Sequence, residues 1–354
     1  MKAKLKIGII GCGRISVMHF TSAKLLPQSD IVACCDIDKV KAEAAAAKYG
    51  VNNVYTDYRE MLDKEELDAV HLCLPHYLHV PVAEYAFSKG VNVLSEKPMA
   101  ISYDGAVNCV EAADKAGVLY GVILQCRYND ASVFVKERIG AKLGKIISAR
   151  SVLTWSRAKS YYDESDWKGT WEKEGGGVVI DQAIHSIDLV NWFIGDEYKS
   201  VGCSFANRNH PFLEVEDTAE GFITYKNGTT YAFYCMNNYG CDEPIEIRLL
   251  CENGKATLTY DDAYIVYNDG TREERRQKVE STLYDGAKIY WGFQHIKQIE
   301  QFYNACLGKE KLETSGKEAL KTHKLLFEIY NKGLKNFYKE GKINESRRNG
   351  TSWR

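Results

Sequence analysis

A stretch near the middle of the chain, DQAIHSIDLV at 181–190, gathers three side chains that could carry out chemistry. Read as a helix with about 100° per residue, it places Asp181, His185 and Asp188 within about 60° of one another. Two carboxylates and an imidazole on one face of an apolar helix could ligate a metal ion, cap a helix or move a proton. We predict no metal, because the chain has no HExxH pattern and no cluster of cysteines and histidines.

The glycines of GIIGCGRIS, directly after the first predicted strand, indicate a nucleotide-binding turn. Gly11 permits the tight turn, and Gly13 lets backbone N–H groups approach a pyrophosphate at the N-terminus of the next helix. The second predicted strand ends in Asp36, a carboxylate that would accept hydrogen bonds from the adenosine ribose and repel a 2′-phosphate. The alternative role for Asp36 is to cap the next helix. Together these residues predict NAD, in preference to NADP, as the cofactor.

A lysine follows another predicted strand in VNVLSEKPMA, where Lys97 precedes Pro98. Ligands of open α/β sheets bind beyond the carboxyl ends of the strands. A partly desolvated lysine at such a position could lose its proton more readily or donate a hydrogen bond to a substrate oxygen. The alternative is a surface charge paired with a glutamate.

Two regions of different periodicity must position these residues. Strand-like and helix-like segments alternate up to about residue 124, which predicts βαβ units and a doubly wound parallel sheet. From about residue 145 apolar and polar residues alternate around Asn-Gly turns at 227–228 and 253–254, as in antiparallel hairpins. Helices are predicted at 181–194, about 292–306 and 316–338. The predicted fold is an α/β Rossmann domain plus an α+β domain with an open-faced, mainly antiparallel β-sheet.

The predicted domain boundaries follow this change of pattern. Residues 1–124 would form the NAD-binding domain and 125–345 a substrate-binding and oligomerisation domain, whose C-terminal helices could pack back on the first domain; 346–354 would be a polar tail. A net charge of −2 over 354 residues favours a small-molecule partner over nucleic acid or an anionic membrane. The eleven cysteines form no CxxC pair, so we predict reduced thiols and a cytoplasmic location.

Five elements, in order, carry a resemblance to a known family: GIIGCGRIS, Asp36, LCLPHYLH, EKPMA and DQAIHSIDLVNWFIG. They resemble the glucose–fructose oxidoreductase/inositol dehydrogenase (Gfo/Idh/MocA) family over essentially the whole chain, and the EKP and D-x-x-x-H elements are the most specific. The resemblance implies oxidation or reduction of a sugar, cyclitol or related polyol. Three residues depart from the family pattern: Ser16 replaces Gly or Ala, Ala183 replaces a frequent Gly, and His76 replaces a frequent Asn.

The resemblance also assigns candidate site residues. Lys97, Asp181 and His185 would be the catalytic set, with His185 as the base and Lys97 on the reacting oxygen, or with Lys97 as the base instead. Asp181 would orient the imidazole or hold a substrate hydroxyl. The predicted cofactor contacts are Gly11, Gly13, Arg14, Ile15, Asp36, Pro75, His76, His79, Glu96 and Lys97. The predicted substrate contacts are Arg127, Trp155, Arg157, Tyr161, Trp167, Asp181 and His185.

Some of these residues have structural alternatives. The aromatic side chains at 155–171 would stack on sugar C–H faces or serve as hydrophobic cover, and Arg127 would reach the substrate or form a buried ion pair. Three glycines at 175–177 would let backbone approach nicotinamide or substrate, or form a flexible turn. Asp188 is predicted to bond backbone or a neighbouring loop.

The predicted function is hydride transfer between NAD and a secondary hydroxyl of a sugar, glycoside or inositol-like polyol. The alternatives are an NAD-using glycosidase that oxidises its substrate transiently and a non-enzymatic NAD-binding regulator. Only one face of the antiparallel sheet can pack on the rest of the chain. The other face, on which we predict Phe222, Tyr231 and Phe233, would join a second copy in a homodimer or homotetramer.

Overall fold

A computed structural model of the protein describes residues 4–259, 262–276 and 294–337. The described residues divide into two compact units: the first includes 4–100, 104–125 and 294–320, and the second includes 101–103, 126–259, 262–276 and 321–337. The predicted polar tail at 346–354 and the predicted helix start at 292 lie outside the described residues.

The first unit contains a parallel sheet of six strands. Its order is β3-β2-β1-β4-β5-β6, and every neighbouring pair is parallel. The strand order reverses between the neighbouring strands β1 and β4, because the chain crosses the sheet from β3 to β4. Such a reversal is the switch point where sheets of this kind bind ligands. This topology confirms the predicted Rossmann fold. The strands are β1 Leu5–Ile10, β2 Ser29–Cys35, β3 Asn53–Tyr55, β4 Ala69–Leu72, β5 Asn92–Ser95 and β6 Tyr120–Val122.

The described residues include ten α-helices, and none of these is both long and apolar enough to cross a bilayer. Asp38 caps the second helix through the amides of Val40 and Lys41, and Gly50 ends it in the left-handed conformation. The helices are α1 Ser16–Leu25, α2 Lys39–Tyr49, α3 Tyr58–Lys64, α4 His79–Ser88, α5 Tyr103–Ala116, α6 Asp130–Arg138, α7 Lys159–Asp163, α8 Ile184–Ile194, α9 His295–Cys306 and α10 Gly316–Phe337.

The core of the first unit lies between the sheet and its helices. Ile7 and Ile9 of β1 are completely buried with Phe20 of α1. Phe302 and Tyr303 of α9 join the same cluster, so α9 belongs to this unit although it is distant in sequence. The division between the units falls within α10, after Leu320.

The second unit contains a sheet of eight strands in the order β14-β13-β12-β11-β7-β10-β9-β8. All neighbouring pairs are antiparallel except β7 and β10, which run parallel. This arrangement confirms the predicted, mainly antiparallel sheet. The strands are β7 Ile146–Thr154, β8 Tyr198–Ala206, β9 Thr218–Tyr225, β10 Thr230–Met236, β11 Glu246–Cys251, β12 Gly254–Thr259, β13 Asp262–Tyr267 and β14 Arg272–Arg275.

The two faces of this sheet differ from the prediction at two residues. Phe222 is 52% exposed, as predicted, but Tyr231 and Phe233 are buried. Successive side chains of a strand point to opposite faces. Because Ala232 lies opposite Phe222 in the pairing of β9 and β10, the residues on either side of Ala232 must face inward. The other large apolar side chains that are exposed on the strands of this sheet are Ile147, Tyr234, Leu250, Tyr264 and Val266.

The helix predicted at 181–194 is present but begins with a wider turn. Residues Val179–Ala183 form one π-helical turn, and the α-helix α8 follows from Ile184. Gly195 ends it in the left-handed conformation. A π-helical turn changes the angular spacing of the side chains, so the regular spacing assumed for Asp181 and His185 is interrupted between them. Such turns are frequent at functional sites.

Candidate functional site

The turn after β1 requires glycine at one position and leaves space at the other. Gly11 has a φ of 94°, and a Cβ there would lie 2.2 Å from the carbonyl oxygen of Cys73. A Cβ on Gly13 would meet no atom within 4 Å. Gly11 is therefore needed by the protein's own backbone, whereas the space at Gly13 fits a bound pyrophosphate.

The N-terminus of α1 fits an anionic group. It carries no side-chain cap and no acidic residue in its first turn, so its positive dipole end is not compensated. Ser16, the departure from the family pattern, is buried and its hydroxyl donates to the carbonyl of Gly13 at 2.6 Å. The extra hydroxyl is therefore accommodated inside the turn. The neighbouring Arg14 and Ile15 are exposed.

Asp36 is bound to the same turn. Its Oδ2 accepts from the Cys12 amide at 2.7 Å, and its Oδ1 accepts from the Asp38 amide at 2.8 Å. The carboxylate thus lies beside the nucleotide-binding turn, at the end of β2. The helix cap that was the alternative role for Asp36 belongs to Asp38.

His79 connects two turns at the carboxyl ends of β4 and β5. Its ring is completely buried, with Nδ1 2.6 Å from the Pro98 carbonyl and Nε2 2.9 Å from the Leu74 carbonyl. Burial lowers the pKa of this imidazole. The side chain thus holds together the turns that contain Pro75 and Lys97, and its direct contact with the cofactor stays a prediction. His76 is also buried, with its ring centroid 5.9 Å from that of His79.

Glu96 is the centre of a buried network that the sequence did not indicate. Its Oε1 lies 3.1 Å from Nε2 of His19 and 3.2 Å from Nε2 of His295, and its Oε2 accepts from the Lys97 amide at 3.2 Å. Although burial opposes ionisation, the two imidazoles hold the pKa of Glu96 well below its usual range. The network therefore anchors the backbone from which Lys97 projects.

The network continues through the core of the first unit. Nδ1 of His19 lies 3.0 Å from Nδ1 of His71, and Nε2 of His71 lies 3.2 Å from the Tyr303 hydroxyl. Burial lowers the pKa values of His19 and His71, so both imidazoles are neutral at pH 7. One set of hydrogen-bond directions is then consistent: the Tyr303 hydroxyl donates to His71, His71 donates to His19, and His19 donates to Glu96.

The side chains of His19, Glu96 and His295 also satisfy the spacing of a metal site. Ligand atoms of His19, Glu96 and His295 lie within 4.8 Å of one another, and within the described chain no other group of three was found. We interpret the cluster as hydrogen-bonded, because both short distances join a nitrogen to one carboxylate oxygen.

Asp181 and His185 lie in the second unit, whereas Lys97 lies in the first. Oδ2 of Asp181 accepts from the Tyr161 hydroxyl at 2.9 Å and from the side-chain amide of Gln182. His185 is 8% exposed at the start of α8. The joint action of Lys97, Asp181 and His185 on one substrate stays a prediction.

The three glycines before this helix make close contacts within the protein. Cβ atoms at Gly176 and Gly177 would lie 2.1 Å from the Tyr330 hydroxyl and 1.9 Å from the Glu216 carbonyl oxygen, and a Cβ at Gly175 would lie 2.7 Å from Ile101. Close packing inside the second unit therefore requires glycine at these three positions, and the segment is not simply a flexible turn.

Glu216 binds the backbone at the start of the π-helical turn. Its carboxylate accepts from the amides of Gly177 and Val179 at 3.0–3.1 Å and from the Tyr330 hydroxyl at 2.7 Å. Burial raises the pKa of Glu216 to about 7, against the effect of these donors. The sequence did not indicate Glu216 or Tyr330, because each lies more than thirty residues from the turn that it holds.

Arg127 forms the buried ion pair that was its structural alternative. Its Nε and a terminal nitrogen donate to the two oxygens of Asp188 at 2.8 and 2.6 Å, and both side chains are buried. The Thr322 hydroxyl also donates to Asp188 at 2.6 Å. Asp188 therefore binds the side chain of Arg127, in the segment between β6 and α6, and that of Thr322 in α10, and a substrate contact of Arg127 stays a prediction.

The aromatic segment at 155–171 is only partly available for stacking. Trp155 is 7% exposed, and its indole N–H donates to the Glu243 carbonyl at 3.2 Å. Arg157 lies over the Trp155 ring at 4.7 Å and pairs with Asp242 at 2.9 Å. Trp167 and Tyr161 are half-buried. Trp155 is thus largely buried, and its predicted contact with the substrate stays a prediction.

Two family models match the chain. One, described as an oxidoreductase family with an NAD-binding Rossmann fold, matches residues 5–124, and the Gfo/Idh/MocA C-terminal domain matches residues 135–257. Together they span most of both units.

Characterised relatives cover much of the chain. It is 27% identical over 342 residues to D-apiose dehydrogenase of Paraburkholderia graminis, covering 92% of this chain and 87% of that protein. It is 26% identical over 227 residues to scyllo-inositol 2-dehydrogenase (NAD(+)) of Bacillus subtilis, covering 64% of each. The solved structure of the WlbA dehydrogenase from Bordetella pertussis, in complex with NADH and UDP-GlcNAcA, is similar with a TM-score of 0.81 and 28% identity, covering 94% of this chain and 97% of that one.

Proposed function

Because the chain belongs to the Gfo/Idh/MocA family of NAD-binding oxidoreductases, we propose that it transfers a hydride between NAD and a secondary hydroxyl of a sugar, glycoside or inositol-like polyol. The match of both family models carries this proposal, and it confirms the family predicted from the motifs. The names of the relatives, which act on D-apiose and scyllo-inositol, support the substrate class. No observation favours the glycosidase or the regulator.

NAD, when bound, would supply the hydride acceptor, and the protein's own residues must take a proton from the substrate hydroxyl. His185 is the proposed base, since an imidazole has a pKa near neutral pH when unperturbed. Lys97 donates a hydrogen bond to the reacting oxygen and so stabilises the developing alkoxide. Asp181 orients the imidazole or holds a neighbouring hydroxyl. The family resemblance of EKP and D-x-x-x-H supports these roles.

The cofactor would be held by the first unit. The amides at the start of α1 and the space at Gly13 would bind the pyrophosphate, and Asp36 would accept from the adenosine ribose. Contacts from Arg14, Ile15, Pro75, His76, His79, Glu96 and Lys97 are proposed on the same resemblance.

A substrate panel tests the proposed function directly. Purified protein with NAD should increase absorbance at 340 nm with at least one member of a set of free sugars, glycosides, nucleotide sugars and inositols. Release of a sugar without net NADH would instead identify a glycosidase. Tight NAD binding without turnover on any member of the panel would favour a regulator.

We expect NAD to bind at least about tenfold more tightly than NADP, or about 1.4 kcal/mol, because Asp36 repels a 2′-phosphate. Asp36→Ala should narrow this ratio, as measured by calorimetry with both cofactors. The matched control is Asp38→Ala, which removes the cap of α2 and an exposed ion pair with Lys41 and should leave the ratio unchanged. Equal affinity for both cofactors in the unmodified protein would contradict the assignment.

We also propose that the sheet of the second unit joins copies of the chain, in a homodimer or a homotetramer. The outward face carries Phe222, Tyr234, Leu250, Tyr264 and Val266, a group of apolar side chains that a monomer would leave in water. A location in the cytoplasm is proposed too, supported by the eleven cysteines, none of which forms a disulfide in the described chain.

Sedimentation tests the assembly. The protein should sediment as a dimer or tetramer at micromolar concentration, and Phe222→Asp should shift it toward the 40.0 kDa monomer. Glu220→Gln, on the same strand, is the control because it adds no charge to the apolar group. A single monomeric species in the unmodified protein would rule out the proposed interface.

A further inference from the structure

The carboxylate of Asp181 is held by an ordered set of donors on one of its oxygens. Oδ2 accepts from the Tyr161 hydroxyl at 2.9 Å and from the side-chain amide of Gln182. A carboxylate can only accept, so the donor in each bond is settled by chemistry. Asp181 is therefore fixed from two directions within the second unit.

The first direction passes through Tyr161 to Lys168. The Lys168 ammonium donates to the Tyr161 hydroxyl oxygen, which leaves the Tyr161 proton to point at Asp181. Burial and the charge of Asp181 raise the pKa of Tyr161 well above its usual value. The phenol thus stays protonated and remains a donor.

The second direction passes through Gln182 to Asn237. Because the Gln182 amide nitrogen faces Asp181, its oxygen must accept, and it does so from the side-chain amide of Asn237 at 3.0 Å. Asn237 also lies 3.0 Å from the Tyr162 hydroxyl. This arm is buried, so it holds Gln182 in one orientation.

Two cationic side chains also lie near the aromatic ring of Tyr161. The Lys168 nitrogen lies 3.6 Å from the ring centroid, and the Arg157 guanidinium lies 5.6 Å from it. Cations over an aromatic ring are attracted to its face and compete with a sugar for that surface. This placement argues against the stacking role predicted for Tyr161.

Two other buried ionisable groups lie near Asp181 and interact with its carboxylate. Glu174 is buried and accepts from the Gly169 amide, and burial together with the charge of Asp181 raises its pKa well above the usual range. Tyr162 has its pKa raised by burial and, to a smaller extent, by Glu174 and Asp181.

We propose that Tyr161 and Lys168 are positioning residues for Asp181: Lys168 orients the Tyr161 hydroxyl, and that hydroxyl fixes Asp181 as a charged acceptor in the reaction. This inference rests on the proposed function, in which Asp181 takes part in hydride and proton transfer. Hydrogen bonds to the charged form of a carboxylate favour that form. Asp181 therefore acts as an acceptor toward the substrate or His185, and not as a proton donor.

Tyr161→Phe and Lys168→Met test the proposal on the best substrate of the panel. Each should lower kcat by about tenfold, while calorimetry shows unchanged NAD affinity. In both variants the acidic limb of the pH profile of kcat/KM should move to higher pH, because the Asp181 carboxylate has lost a donor or its support. The double variant should be no worse than Tyr161→Phe alone, since the two residues act in series.

Two control variants separate positioning from general damage. Tyr231→Phe removes a buried hydroxyl that bonds Ser151 at 2.7 Å, and Lys173→Met removes an ammonium that pairs with Asp166 at 2.6 Å. Both should keep the normal pH profile. If Tyr161→Phe fails to fold, the Lys168→Met profile still decides the matter.

The possible results distinguish this inference from the function on which it rests. Failure of every member of the panel to reduce NAD would contradict the proposed function, whereas full activity of Asp181→Asn would remove Asp181 from the reaction and overturn this inference with it. A large loss in Asp181→Asn, combined with an unmoved acidic limb in both Tyr161→Phe and Lys168→Met, would overturn the positioning role alone.

Discussion

Lys97→Met and His185→Asn are each expected to lower turnover by about 10²–10⁴-fold, the usual contribution of a positioned acid–base group. NAD affinity should fall far less than turnover, because neither residue belongs to the pyrophosphate turn at Gly11 and Gly13, although Lys97 is also a proposed cofactor contact. The losses should not add in the double variant, since both residues would act on one proton. Steady-state kinetics of the three variants, with calorimetry for NAD, measures these effects.

Asp181→Asn extends this comparison. Asp181→Asn should lower turnover less than His185→Asn does if Asp181 only orients the imidazole. It should lower turnover more if Asp181 holds the substrate. The matched control for Lys97 is Lys89→Met, which removes a surface lysine paired with Asp63 at 2.6 Å. Near-normal turnover in His185→Asn would show that His185 is not the base and that its face of α8 has a structural role.

Gly11→Ala is expected to lower the stability of the protein, whereas Gly13→Ala is expected to lower its affinity for NAD. A methyl group on Gly11 would meet the Cys73 carbonyl at 2.2 Å and force a positive φ on alanine. Residues held in such conformations cost about 1–3 kcal/mol before any clash is counted, so we expect Gly11→Ala to lower the free energy of unfolding by at least about 2 kcal/mol. Urea denaturation measures this loss.

Gly13→Ala is the matched counterpart, since its methyl group would enter open space. Its unfolding should resemble that of the unmodified protein, whereas its NAD affinity should fall by at least about tenfold, or about 1.4 kcal/mol, because the methyl group would occupy the space proposed for the pyrophosphate. Unchanged NAD affinity in a folded Gly13→Ala protein would place the pyrophosphate elsewhere.

The sequence alone was sufficient for the features that depend on local pattern. The alternation of strands and helices, the turn at Gly11 and the carboxylate at Asp36 predicted the Rossmann sheet, and the hairpins around 227–228 and 253–254 predicted the second sheet. Such features depend on residues close together in the chain, where periodicity and turn chemistry act directly. The order of the motifs was enough to identify the family.

Side-chain partners were decided by the tertiary structure. Arg127 pairs with Asp188 across 61 residues, and Tyr330 reaches the Ile180 amide across 150. The same holds for Tyr231, whose direction was misjudged because the register of β9 and β10 determines which side chains face inward. Local propensity does not encode which distant residue will satisfy a buried charge, a buried amide or a close approach at glycine, because those contacts form only when separate elements pack together.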